Sequence, residues 1–98
     1  MNIVQFYKGD SVSFGLIIRG KTDSLPIDPT IVTIMVASLK ISGVIDIVKV
    51  NNENMTKTSE GKYKYVWHSD AVGSYIVIYT AINNGNTTIL KDVFVVNN

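Results

Sequence analysis

Apolar and polar residues alternate with a period of two in several short runs of this chain, the pattern of half-buried β-strands. In the run 11–19, Val12, Phe14, Leu16 and Ile18 fall on one face while Ser13, Gly15 and Arg19 fall on the other, with Ile17 as the exception. The run 62–68 sets Tyr63, Tyr65 and Trp67 against Lys62, Lys64 and His68. A shorter edge strand over 2–9 precedes the first run and is closed by Lys8-Gly9-Asp10. Between 20 and 30 the chain collects Gly, Asp, Ser and both prolines. Proline cannot donate to a ladder, so strand structure is expected to stop by Leu25 and resume only after Pro29.

The run 30–41 has a helical alternative, capped by Asp28 with Pro29 at the first helical position. A strand is favoured, because the run is rich in β-branched residues and an apolar partner, 43–50, follows after only Ser42-Gly43, a two-residue hairpin signal. Residues 51–61 read as a polar loop with Met55 turned inward. The run 74–82 ends at Asn83-Asn84-Gly85-Asn86, where Asn-Gly tolerates the positive φ of a tight hairpin, and a last strand covers 87–96. Seven short strands with regular turn signals predict an antiparallel seven-stranded immunoglobulin-like β-sandwich, with residues 1–98 as a single domain. Gly73-Ser74-Tyr75 then matches a tyrosine corner, and Tyr63, Tyr65 and Trp67 fill the space between sheets.

Composition agrees with a chain that folds alone: 46% of its 98 residues are hydrophobic and 17% charged. Nine Lys plus Arg against eight Asp plus Glu leave a net charge of +1, too little to steer nucleic acid or an anionic membrane. The chain has no cysteine, which excludes disulfides and thiolate chemistry and fits synthesis in a reducing cytoplasm. Its start lacks the pattern of a secretory signal, and no window reaches the ~18 apolar residues of a membrane span.

Candidate chemistry is sparse. His68, Ser69 and Asp70 are the residue types of a hydrolase triad, but neighbouring side chains diverge, and a triad draws on separated segments. Asp10, Asp28 and Asp70 would have to gather at one end of the sandwich to hold calcium, and no dense acidic loop accompanies them. Lys8-Gly9-Asp10 matches a cell-adhesion tripeptide and reads more simply as a turn. No phosphate-binding glycine loop or zinc motif occurs, and Arg19 is the only arginine. The expectation is a non-enzymatic protein without cofactor or metal.

The solvent faces of the strands disagree with one another. The runs 31–39, 74–82 and 89–96 are apolar on both faces, and the predicted topology gathers them in one sheet. A contiguous apolar patch on a soluble domain marks an interface, here expected on Met35, Ile76, Ile78, Leu90 and Phe94.

The stretches "YKGDSVSF", "LPIDPTIVTIMV", "MTKTSEGKYKYVW" and "GSYIV" together resemble the small immunoglobulin-like domains of tailed-bacteriophage virion proteins. They are similar in layout to the N-terminal domain of phage baseplate upper proteins and to short stand-alone phage structural proteins. The resemblance implies a structural module of the virion, made in the host cytoplasm, that decorates a capsid or joins head, neck, tail or baseplate parts. Its partners would be other virion proteins or further copies of itself. Where such domains carry a longer hydrophilic hairpin after the third strand, this chain has "SLKISGVIDIVKV". Its methionine start and its end just past the last strand fit a complete small protein or a piece of a larger one. The alternative is a carbohydrate or receptor-binding module that uses end loops around Asp10, Asn83, Asn84 and Asn86.

Overall fold

The computed structural model describes residues 4–20 and 25–98. They form β1 (Val4–Tyr7), β2 (Ser11–Ile17), β3 (Ile31–Leu39), β4 (Ile45–Asn54), β5 (Thr56–Ser59), β6 (Lys62–His68), β7 (Gly73–Asn83) and β8 (Asn86–Asn97). Two sheets result, a five-stranded one in the order β1-β8-β7-β3-β4 and a three-stranded one in the order β2-β6-β5. The expected all-β, two-sheet architecture is present, and the run 30–41 is a strand, with no helix among the described residues.

Three expectations are corrected. Among the described residues there are eight strands instead of seven, because part of the anticipated polar loop is ladder: β4 runs on to Asn54 and Thr56–Ser59 pairs with β6. All four residues of β5 are exposed, so no apolar alternation betrays it, and pairing alone makes it a strand. The sheets are also not wholly antiparallel, since β1 runs parallel to β8. The hairpin expected at Ser42-Gly43 is a longer turn, in which the Lys40 N–H donates to the Val44 carbonyl and the Gly43 N–H to the Lys40 carbonyl, both at 2.8 Å.

The core lies between the sheets. Val12, Phe14, Tyr63 and Trp67 from the smaller sheet meet Val32, Ile34, Val36, Tyr75, Val77, Phe94 and Val96 from the larger, all buried. Met55 is buried as expected, next to a backbone bond from its own N–H to the Val32 carbonyl at 3.0 Å. Phe94 stacks on Tyr75 at 5.4 Å and 12° and meets Trp67 edge-on at 5.8 Å. Such aromatic pairs contribute about 0.5–1.5 kcal/mol beyond the burial of their area.

Three side chains tie the ends of the sandwich. The Tyr75 hydroxyl donates to the Ala71 carbonyl at 2.7 Å, so the predicted tyrosine corner is formed; burial pushes its phenol pKa up. Ser69, also buried, donates to the Tyr7 carbonyl at 2.9 Å and fastens the β1–β2 turn. At the other end Asp28 accepts from the Lys57 ammonium at 2.7 Å and from the Gly61 N–H at 2.8 Å. Gly61 has φ +74°, and a Cβ there would sit 2.8 Å from the Ile18 carbonyl oxygen and from Pro26, so only glycine fits.

Replacing Tyr75 by Phe removes the bond to Ala71 while keeping the ring, and is expected to cost about 1–2 kcal/mol in urea unfolding. Asp28 gives a pH test. The hydrogen bond from Lys57, followed by that from Gly61, holds its pKa below the usual 3.8. A lowered folded pKa means that its stabilisation is complete above the unfolded value and is lost as pH falls through the folded one. Acid titration of unfolding should therefore show a decline below about pH 4 that Asp28→Asn flattens.

Candidate interaction surface

Direct pairing across the sheets decides which apolar residues face out. Inward Val32, Ile34 and Val36 leave Ile31, Thr33 and Met35 on the outer face of β3, while Ala37, of the same parity, is fully buried. Across the ladder Met35 lies opposite Ile78 and Ala37 opposite Ile76. On β8, Val93 pairs with Ile76, Lys91 with Ile78 and Ile89 with Thr80. On β4, Val48 pairs with Ala37. Met35, Ile76 and Ile78 are therefore neighbours on one surface, each half-buried, and exposed Ile31, Val48, Ile89 and Val93 extend it. Thr33, Thr80 and Lys91 are the polar positions among them.

The other two residues expected there face the opposite way. Phe94 pairs with Tyr75 and is 4% exposed, a centre of the core. Leu90 pairs with Tyr79, so it shares the inner face, yet it is 54% exposed. It is wet because β7 and β8 extend past the smaller sheet, and it borders an open groove instead. Ile89 and Val93 are the residues that belong on the outer face. In 89–96 both parities are apolar, with one charge on each, Lys91 and Asp92, so alternation alone is undecided. The hairpin turn holds the missing signal. Asn84 and Gly85 adopt φ 51° and 78°, a two-residue turn that pairs Asn83 with Asn86 and so carries Tyr75 onto Phe94.

The triad-type residues separate. His68 is exposed with its Nδ1 2.9 Å from the Ser11 hydroxyl, Ser69 is turned into the β1–β2 turn, and Asp70 lies 3.4 Å from the Lys49 ammonium. Asp10 accepts from the Tyr7 N–H at 2.9 Å, at the end of the sandwich opposite Asp28. Among the described residues no group of three His, Cys, Asp or Glu could hold a metal ion. Asn83, Asn84 and Asn86 lie at the far end of β7 from Asp10, roughly 35 Å away at ~3.3 Å per residue, so the two loop clusters do not form one site. No helix among the described residues is long and apolar enough to cross a membrane.

Compared with protein-family models, curated proteins and solved structures, the chain gives no match in any of the three.

Phe94→Ala is expected to cost about 3–5 kcal/mol, as for other buried aromatic truncations. Leu90→Ala should stay within about 1 kcal/mol, as substitutions at exposed positions do. Chemical denaturation of the two variants checks directly that Phe94 is buried and Leu90 is exposed.

Proposed function

We propose that this chain is an immunoglobulin-like, non-enzymatic assembly module of a tailed-phage virion, and that it docks on another virion protein through the outer face of its five-stranded sheet. The observation that carries this reading is the apolar character of that face. Met35, Ile76 and Ile78 form its centre, with Ile89, Val93 and Val48 around them, where a sheet open to water would carry polar side chains. An outward apolar side chain gains burial energy only when another surface covers it, at roughly 25 cal/mol per Å².

The immunoglobulin-like part of the reading is supported by the pairing of five strands with three across one core and by the tyrosine corner at Tyr75. The virion part is supported by the resemblance of the four stretches quoted above. The loop-binding alternative is weakened by the separation of Asp10 from Asn83, Asn84 and Asn86.

The test is light scattering at several concentrations, for the chain alone and mixed with the proteins encoded beside it. Ile89→Lys and Val93→Lys alter exposed positions and should leave thermal unfolding nearly unchanged while removing the complex. An oligomer of this chain alone that both lysines dissolve keeps the surface and makes the partner a second copy. A monomer in every mixture, indifferent to both substitutions, overturns the reading.

A further inference from the structure

Each sheet has two edges, and three of the four are blunted in ways that discourage another chain from pairing. β1 and β5 are only four residues long. β4 is longer, but three register shifts against β3 each leave an extra residue on it, and it carries Asp46, Lys49 and Glu53. Bulges, charges and shortness are the usual protections of an edge. β2 has none of them. Its seven residues pair with β6 in unbroken register, and Ser11–Ile17 contains no charge and no proline.

The free side of β2 can be assigned. The Ile18 N–H donates to the Gly61 carbonyl at 2.8 Å and the Asp10 carbonyl accepts from the Ser69 N–H at 3.0 Å. Ladder bonds to β6 therefore alternate through the even-numbered residues, and Ser11, Ser13, Gly15 and Ile17 turn their N–H and C=O groups to the open edge. A Cβ built on Gly15 meets nothing within 4 Å, and Ile17 is 60% exposed. At the Leu16–Ile17 end of this edge opens a groove of about 370 Å³, walled by Leu16, Ile17, Ile18, Ile27 and Pro29 on one side and by Tyr79, Ala81 and Leu90 on the other. It exists because β7 and β8 outreach the smaller sheet.

We propose that the β2 edge receives an extended segment of a partner polypeptide as a fourth strand of the smaller sheet, with an apolar side chain at the Ile17 end of that segment entering the groove against Leu16 and Leu90. The backbone specifies this occupant. Unpaired N–H and C=O groups at every second residue match the spacing of a strand, and an apolar floor on one side selects a sequence that alternates. The site is separate from the outer face of the five-stranded sheet and goes beyond the docking role given to that face.

The probe is an acetylated peptide alternating threonine and valine with lysines at its ends, compared with the same peptide carrying a central proline. Amide exchange of the full chain, followed by NMR, should show slowing at Ser13, Gly15 and Ile17 on addition of the first peptide and none with the second. Ser13→Pro removes an N–H that no ladder bond uses and should weaken binding by about tenfold or more. Leu90→Lys, at an exposed position in the groove wall, gives a second reading should Ser13→Pro disturb folding, and should weaken binding likewise. Unchanged exchange at the three amides overturns the proposal, as does protection that moves to Ile76 and Ile78. Protection that grows with protein concentration without peptide also overturns it, by giving the edge to a second copy.

Discussion

The register between β7 and β8 is the constraint from which the rest of the molecule follows. A two-residue turn at Asn84-Gly85 locks Tyr75 opposite Phe94 and Ile76 opposite Val93. Because side chains alternate, a slip of one residue would exchange the two sets. Phe94 would leave Tyr75, Trp67 and Phe14, and the apolar surface outside would lose Val93. Both the core and the outer face thus rest on one short turn, and on the positive φ that Asn and Gly accept there without strain.

The second determinant is the unequal size of the sheets. The long strands β7 and β8 run past the shorter β2 and β6 and leave part of the larger sheet without an opposite layer, so Leu90, an inner-face residue by pairing, ends exposed at the groove. The smaller sheet is fastened at both ends by polar ties. Ser69 holds the β1–β2 turn, and Asp28 joins the segment before β3 to the β5–β6 turn. Tyr63 donates its hydroxyl to the same carboxylate at 3.3 Å, so the core and the tie share a residue.

Much of this was legible in the sequence wherever a strand has one polar face. Val12 and Phe14, Tyr63 and Trp67 alternate against Ser and Lys, and all four are buried. The tyrosine corner could be read from Gly73-Ser74-Tyr75 because its bond is local. Legibility failed where the two faces carry the same chemistry. Thr56–Ser59 is polar on both and is a strand only through its partner; 89–96 is apolar on both, and Leu90 and Phe94 were consequently expected on the wrong side. The parallel pairing of β1 with β8 was hidden for another reason, since it depends on contacts between opposite ends of the chain.

That last pairing has a kinetic consequence. Val4 pairs with Phe94, so β1 can find its ladder neighbour only after the chain between them has been made and brought round. Contacts of such long sequence separation pay their closure entropy before they return any stabilisation. On topology alone, β1 is expected to dock late in folding, after the local hairpins have formed.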